Sequence, residues 1–454
     1  MWIALLLLTS MADWVPARWN TAEPKSLEIV SETPVNCLLL EEKNWQPVFV
    51  KAAAEKNIVT LGIVHPSSEA LETARRAISA GLKGVVLEGD FEPDLAARIR
   101  SFAQDMKAAV IEMGLRYRMP LDSSIPVVGT VQGVWPGIQL ETEGSTKAAP
   151  SGAPWINTNT GFLRFARAAT SSTIWVGVTP PSGSNWRVER YLQAIGDAAM
   201  SGARWVVALD SDFESRLLAR EARALKDWQR IGTHLKFFED HKEWRSLQPH
   251  GLLAIVQDTS SGALLSGGIL DMIAVKHTPV RPIPTRILKA DLMQGAQMAV
   301  NVDPESLTQQ QRDALRAFTR SGGTLLSGPP GWKFPSLKEG QITLPDEEVK
   351  TLDNIWKDLN SMTGRRNLGA RLFNVSSMLS NLLSTPDGKQ LILHLVNYSD
   401  YPVESITVHV LGNYKRARLL TPEGVQKDLE VYPVEEGTGI DIDQLSVIGT
   451  LQID

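Results

Sequence analysis

Short apolar runs alternate with longer amphipathic segments through the first half of the chain. The runs are rich in Val and Ile, which is typical of parallel strands that are buried on both faces. The segments between them, such as 67–82 and 92–107, carry apolar residues at about the 3.6-residue spacing of a helix. The predicted strands are NCLLLE (36–41), TLGIV (60–64), GVVLEG (84–89), AAVIEM (108–113), PVVGTVQG (126–133), TIWVGV (173–178) and WVVALD (205–210).

This set of strands is one short of the eight that a βα-barrel needs. SLEIV (26–30) or PGIQL (136–140) supplies the missing strand in this interpretation. Two predicted helix–strand junctions also repeat a glycine, Gly81 and Gly202. Glycine ends helices in the left-handed conformation without a Cβ clash. The repeated unit favours a closed βα-barrel over an open sheet.

The pattern changes near residues 236–250, which are polar and aromatic. Further strands and helices then alternate up to about residue 327, as in a small doubly wound sheet. From about residue 368, apolar and polar residues alternate with period two between turn signals, which predicts antiparallel strands. The predicted fold is therefore α/β, with a TIM-like βα-barrel (13–245), a small flavodoxin/amidotransferase-like α/β domain (246–364) and a C-terminal antiparallel β-sandwich (365–454).

Length and charge narrow the classes of protein that fit. The 454 residues exceed the roughly 250–300 at which one hydrophobic core stops growing, so several domains are expected. A net charge of −5 provides no general field for phosphates, which argues against a nucleic-acid partner. Cys37 is the one cysteine in the chain, so an internal disulfide and a cysteine metal site are both excluded.

The first twelve residues, MWIALLLLTSMA, form an apolar stretch that ends in Ser10-Met11-Ala12. This small-x-small ending is typical of a signal peptide, so residues 1–12 are predicted to be one and the protein to be secreted or periplasmic. A buried N-terminal strand is the alternative. No other segment approaches the ~20 apolar residues of a membrane span, so none is predicted.

Ligands of a βα-barrel bind at the carboxyl ends of its strands, where polar residues follow the apolar runs. Glu88 and Asp210 each end a strongly apolar strand, and glycoside hydrolysis needs two carboxyl groups. These two residues are the predicted catalytic pair. A helix cap or an ion pair is the alternative role for each. His65, Glu112 and Gln132 follow other strands and are predicted to bind substrate.

The long connection at 133–162 is rich in Gly, Pro, Ser and Thr. Loops of this length inside a compact domain are usually functional. Aromatic faces stack on sugar rings and amides bond hydroxyl groups, so four of its residues are predicted to bind a neutral glycan. They are Trp135, Trp155, Asn157 and Asn159. The alternative is structural, with Trp filling the barrel mouth and Asn capping the helix that follows.

Other kinds of site find little support in the sequence. His241 and His250 lie near Glu239 and Asp240 without the regular spacing of metal ligands. No Gly-rich phosphate loop follows a strand, and SGPPGW (327–332) is typical of a turn. The sequence therefore predicts neither a metal site nor a cofactor.

The order of a barrel, a small α/β domain containing AFTRSGGTLLSGPPGW and a β-sandwich resembles the three-domain β-galactosidases of glycoside hydrolase family 42. In that family an Asn-Glu pair ends the fourth strand and a Glu lies on the seventh. Here the predicted fourth strand has Glu112 after Ile111, and TIWVGVTPP has Thr179, so no catalytic residue transfers. The family's middle domain forms trimers, which implies that a homo-oligomer is an option here.

Three functions stay open at this point. The first is a glycoside hydrolase that acts on a neutral glycan at the barrel mouth. The second is a non-catalytic barrel that binds carbohydrate or another protein. The third is a structural role in assembly through the middle domain. Architecture alone does not decide among them.

Overall fold

The computed structural model describes residues 10–121, 125–139, 155–257, 277–302, 304–328, 346–375 and 377–454. The first nine residues of the predicted signal peptide lie outside these ranges. The sequence pattern also predicts a helix over 262–280, and most of that segment lies outside them. The chain divides into two compact units. The first comprises Met1–Gly133, Ser171–Arg187 and Arg204–Glu239, and the second Val134–Thr170, Val188–Ala203 and Asp240–Asp454. The domain boundaries drawn from the sequence stay a prediction.

The first sheet has eight parallel strands in the order β1-β2-β3-β4-β5-β6-β9-β10. A parallel bridge between Ala17 and Val207 joins the last strand to the first, so the sheet closes almost completely into a barrel. This confirms the predicted TIM-like barrel. Its strands are β1 Pro16–Arg18, β2 Cys37–Leu40, β3 Val59–Val64, β4 Gly84–Glu88, β5 Ala109–Gly114, β6 Val127–Thr130, β9 Thr173–Val176 and β10 Ala203–Trp205.

Helices follow most of these strands along the chain, as the apolar spacing predicts. They are α1 Leu27–Ser31, α2 Pro47–Glu55, α3 Ala70–Ser79, α4 Pro93–Asp105, α5 Thr160–Ala169, α6 Val188–Ala199, α7 Ser211–Leu218 and α8 Ala222–Asp240. Gly81 and Gly202 lie just past α3 and α6 with φ of +90° and +76°. The glycine requirement at these two junctions is therefore confirmed.

Both candidates for the eighth strand were wrong. SLEIV folds into α1, and PGIQL contributes strand β7, Gly137–Gln139, which pairs only with β8, Trp155–Asn157, in a separate antiparallel ribbon. The missing strand is β1, which is only three residues long and begins with a proline, so it has no recognisable apolar run. Counting it moves every later strand up by one. Glu88 therefore ends the fourth barrel strand, and Glu112 lies on the fifth.

The barrel interior is filled by the alternate residues of its strands. The cluster includes Trp14, Cys37, Leu39, Leu61, Ile63, Val86, Ile111, Met113, Val127, Trp175 and Val206. Side chains of a strand alternate between its two faces, so the residue two positions after each core residue also points into the barrel. The core thereby determines which polar residues face the barrel mouth. Burial raises the pKa of the Cys37 thiol, which is typical of an unreactive packed cysteine.

A second, smaller parallel sheet has the order β13-β12-β14-β15. Its strands are β12 Leu253–Gln257, β13 Val280–Pro284, β14 Met298–Asn301 and β15 Thr324–Ser327. The helix α9, Gln309–Arg320, starts with a capping box in which Thr308 and Gln311 bond each other's backbone N–H. Strand β13 was missed in the sequence because it contains two prolines, which edge strands tolerate.

The C-terminal part has two antiparallel sheets, in the orders β11-β17-β18-β24-β20-β21 and β16-β19-β23-β22. Side chains of both sheets share one hydrophobic cluster. The elements are β11 Gln248–Pro249, helix α10 Asp346–Thr363, β16 Ala370–Phe373, β17 Met378–Ser384, β18 Leu391–Asn397, β19 Val403–Leu411, β20 Ala417–Leu420, β21 Gln426–Leu429, β22 Val431–Val434, β23 Gly437–Leu445 and β24 Ile448–Ile453. Of the helices in the described ranges, none has the length and apolar character needed to span a membrane.

His394 on β18 is buried between these sheet strands and the aromatic ring of Trp244. Its Nδ1 is 2.9 Å from the Thr450 hydroxyl on β24. Burial lowers the pKa of His394 from 6.5 to about 3, with His241 adding a smaller repulsion. The native state therefore holds this imidazole neutral over the whole range in which an unfolded chain protonates it.

We expect the second unit to lose stability as the pH falls from about 6.5 towards 4. The unfolded state binds a proton at His394 in this range and the native state does not. The free energy of unfolding therefore falls by about 1.4 kcal/mol for each pH unit. In His394→Gln this contribution disappears, so the fall of unfolding free energy with decreasing pH becomes shallower. Urea unfolding at several pH values measures both slopes. Equal slopes in the two proteins would contradict the burial argument.

Candidate functional site

Four polar side chains extend the inward-facing rows of the barrel core at its carboxyl end. Glu41 follows Leu39, His65 follows Ile63 and Glu88 follows Val86, each at the next inward position. Arg18 lies in the row of Trp14, two inward positions further along the chain. Arg18, Glu41, His65 and Glu88 come from the first four strands, and we call them the rim cluster.

Arg18 lies at the centre of the rim cluster. Its Nη1 is 3.5 Å from Glu41 Oε1, and its Nη2 donates to Glu88 Oε2. The side chains of Arg18 and Glu88 are only 15% and 14% exposed. Strands β1 and β4 are not neighbours in the sheet, so the bond between these two residues crosses the barrel mouth. The guanidinium thereby joins two carboxylates over the interior of the barrel.

Glu41 also contacts His65, with 3.2 Å between its Oε2 and the Nε2 of the imidazole. The hydrogen bond to His65 lowers the pKa of Glu41, although partial burial opposes this effect. The same bond raises the pKa of His65 against its own desolvation. His65 is more exposed than the other members, with 56% of its side chain accessible. The contact between His65 and Glu41 therefore favours the protonated form of the imidazole and the ionised form of the carboxylate.

Asp210, the second predicted catalytic residue, lies beyond the last barrel strand at the start of α7. Its Oδ1 accepts a hydrogen bond from the backbone N–H of Phe213 at 2.9 Å, and its Oδ2 lies 3.4 Å from the N of Trp186. Asp210 is 2% exposed and caps the helix. The capping role that the sequence left open is thus present, and a catalytic role stays a prediction.

Glu112 faces away from the barrel interior, because the inward positions of β5 are Ile111 and Met113. Its carboxylate bonds Arg100 on α4. The two residues line a cavity of about 440 Å³ on the outer side of the strands, together with Leu87, Phe91 and the ion pair Arg118–Asp90. Glu112 is therefore not a member of the rim cluster.

Gln132 follows β6 and hydrogen-bonds Arg116, which lies in the loop after β5. Its Oε1 accepts from Arg116 N at 2.8 Å, and its backbone oxygen accepts from Arg116 Nε at 2.7 Å. Gln132 is 9% exposed, and Arg116 is also buried. The contacts described here give Gln132 a positioning role within the first unit, while binding to a substrate stays a prediction.

All four predicted binding residues of the 133–162 connection belong to the second unit. Trp135 packs edge-to-face on Tyr191, with ring centroids 5.5 Å apart. Asn159 is buried and bonds Val134 through both its Oδ1 and its Nδ2, and Nδ2 also donates to Asp197. Asn159 precedes α5 but makes no side-chain hydrogen bond that caps this helix. The sugar-binding roles of Trp135 and Asn159 stay predictions.

Trp155 and Asn157 lie on β8, which pairs with β7. Residues 140–154 of the connection lie outside the described residues. The sugar-binding roles of Trp155 and Asn157 stay predictions. Among the residues described, no group of three or more His, Cys, Asp and Glu side chains is arranged to hold a metal ion.

Sequence reasoning missed Arg18 altogether and passed over Glu41. Arg18 follows a three-residue strand without an apolar run, so no strand end was recognised there. Glu41 is the last residue of the predicted strand 36–41, but nothing in its local sequence separates it from the other acidic residues at strand ends. The available signal was the period-two continuation of the core residues, which marks Glu41, His65 and Glu88 as inward-facing.

Solved structures with a similar fold include glycoside hydrolases. Alpha-L-fucosidase isoenzyme 2 from Paenibacillus thiaminolyticus is similar with a TM-score of 0.60 and 10% identity, over 97% of this chain and 99% of that chain. A trehalose-6-phosphate hydrolase from Bacillus licheniformis covers the same shares at 8% identity, but its TM-score of 0.38 is too low to carry an argument. No protein-family model and no curated protein matches the chain. The chain therefore has a barrel-containing α/β fold similar to that of glycoside hydrolases.

Proposed function

We propose that the protein is a glycoside hydrolase that acts on a neutral glycan at the carboxyl end of the barrel, with Glu88 as the reacting carboxylate. The observation that carries this proposal is the rim cluster, in which polar side chains of four successive strands meet above an apolar core. Active sites of βα-barrel enzymes are built at this end. The similarity of fold to an α-L-fucosidase is consistent with the proposal.

Glu88 is the strongest candidate for the nucleophile or base. It ends the fourth barrel strand, where the family 42 β-galactosidases that the domain order resembles carry an Asn-Glu pair, but Leu87 stands here in place of the Asn. Its carboxylate is oriented by Arg18 and is mostly buried, so its position is set before a substrate arrives. A reacting group held in place in this way needs little reorganisation during the reaction.

The proton donor in this proposal is the pair of His65 and Glu41. Protonated His65 gives its proton to the oxygen of the leaving sugar, and Glu41 stabilises the imidazolium. Glu41 and Glu88 both contact the Arg18 guanidinium, so the proton-donating pair and the reacting carboxylate lie at one place in the barrel mouth.

A non-catalytic carbohydrate-binding barrel is the second candidate, and one observation favours it. The Arg18 guanidinium neutralises part of the charge of Glu88, and an ion-paired carboxylate is a weaker nucleophile and base than a free one. In a barrel that only binds sugar, the same network supplies donors and acceptors for hydroxyl groups and needs no reactive carboxylate. Measured turnover separates the two candidates.

We expect Glu88→Gln to reduce glycoside turnover by at least about 10²-fold, because loss of a catalytic carboxylate removes acid–base or nucleophilic catalysis. Glu112→Gln is the matched control, since it makes the same change in an ion-paired Glu that faces away from the rim. Initial rates on a panel of neutral aryl glycosides measure both. Equal loss in the two variants, or none in Glu88→Gln, would remove Glu88 from the reaction.

The same assay separates the two roles of Asp210. Asn retains an oxygen that can cap α7, so Asp210→Asn keeps turnover if capping is the only role. A loss as large as that of Glu88→Gln would establish the catalytic pair expected from the sequence. Glycan binding without turnover in the wild-type protein would instead support the non-catalytic candidate.

We expect His65 to titrate above the ordinary histidine value of about 6.5, and its pKa to fall in Glu41→Gln because the partner charge is removed. An acid is active while protonated, so the alkaline limb of the kcat/KM profile moves to lower pH in this variant. NMR titration of the His65 ring checks the shift without requiring activity. An unchanged titration would show that Glu41 does not control His65.

We also retain the sequence-based proposals of export and of a homo-oligomer through the middle domain. Export is supported by the apolar stretch before Asp13 and by its small-x-small ending. We expect the protein in the periplasmic or culture fraction, lacking residues 1–12. Fractionation followed by N-terminal sequencing checks this, and full-length protein confined to the cytoplasm would contradict it.

A further inference from the structure

Two amide side chains end neighbouring strands of the small parallel sheet in the second unit. Gln257 is the last residue of β12 and Asn301 the last of β14. They are 0% and 3% exposed. Within the described part of the chain, no hydrogen-bond partner is found for Gln257 Oε1, Gln257 Nε2 or Asn301 Oδ1. Three buried polar atoms at one sheet edge therefore lack the bonds that they would make in water.

Unpaired polar atoms of this kind are uncommon and destabilising. More than about 90% of buried polar groups in proteins are hydrogen-bonded, and each exception calls for an explanation such as a ligand, an ion or a water molecule. Replacing such a group by an apolar one of similar shape is neutral or stabilising when nothing else bonds it. Keeping both amides at this edge is thus a cost to folding that a binding role would explain.

The position of the two residues in the sheet points to binding. In the order β13-β12-β14-β15, strand β13 pairs with one side of β12. The next strand of the chain, β14, pairs with the other side of β12, so the direction of strand addition reverses there. This reversal is a topological switch point, and ligands of doubly wound sheets bind in the crevice outside the carboxyl ends of the strands there. Gln257 and Asn301 are the terminal residues of the two strands that flank the switch point.

The register places the amides on both sides of this edge. Asn301 is paired with Val256, so its side chain shares the face of Ala299 and the α9 core. Gln257 is the next residue of its strand and points to the opposite face. The two side chains therefore lie on opposite faces of the sheet at this edge, one on each side of the switch point.

The chemistry of the edge identifies the class of ligand. The four strands end in Gln257, Pro284, Asn301 and Ser327, none of which is charged. Gln257 offers both a donor and an acceptor, and Asn301 offers an acceptor. A sugar hydroxyl is itself a donor and an acceptor, so it satisfies both kinds of group. We propose that the carboxyl edge of β12 and β14 is a second site, separate from the rim cluster, that binds a neutral sugar.

The experiment uses the full chain and the double variant Gln257→Met, Asn301→Leu, which removes the amides and keeps side chains of similar length and shape. D-Glucose, D-galactose and L-fucose are the probes, and saturation-transfer NMR and thermal unfolding are the readouts. For at least one sugar, we expect the wild-type protein to bind and the double variant to lose at least tenfold in affinity. Without sugar, the variant should unfold at the same or a higher temperature than the wild type.

Glu88→Gln is the matched control, because it alters the rim cluster and leaves this edge unchanged. Binding that survives Glu88→Gln and disappears in the double variant supports the second site, whether or not the rim hydrolyses glycans. The proposal is overturned if no probe binds in a way that depends on the two amides. It is also overturned if the double variant unfolds at a lower temperature without sugar, because the amides are then already satisfied by protein or internal water.

Discussion

The pairing of Ala17 with Val207 is the contact on which the arrangement of the first unit depends. It joins a three-residue strand to the end of an eight-stranded sheet and so closes the sheet into a barrel. Closure brings the carboxyl ends of β1 and β4 to facing positions, which an open sheet would keep three strand spacings apart. Arg18 can then reach both Glu41 and Glu88 across the mouth.

The two strand-end carboxylates that the sequence selected differ in what surrounds them. Glu88 bonds a side chain that also faces the barrel mouth, so a substrate could compete for the same contacts. Asp210 bonds the backbone at the start of a helix, where an acceptor stabilises the first turn whatever its charge. The difference lies in the tertiary partner, because both residues follow a buried apolar strand and are locally alike.

The strand errors have one physical origin. Pattern analysis finds strands that carry their own hydrophobic signal, such as Cys37–Leu40 and Gly84–Glu88. The strands Pro16–Arg18 and Val280–Pro284 are held by their neighbours, and prolines interrupt the local pattern. Neighbouring strands supply the hydrogen bonds that such short segments cannot obtain alone. Missing the first of them shifted the strand count and hid the position of Glu88 at the end of the fourth strand.

The sequence by itself determined the alternation of strands and helices, the inward rows of the barrel and the antiparallel character of the C-terminal part. Those features follow from periodicity and from residues such as Gly81 and Gly202, whose requirements are local. Only the tertiary structure decided that Arg18 joins Glu41 to Glu88 and that Gln257 and Asn301 end adjacent strands. Such contacts join residues far apart in the chain, and their geometry is set by closure and strand order rather than by any local preference.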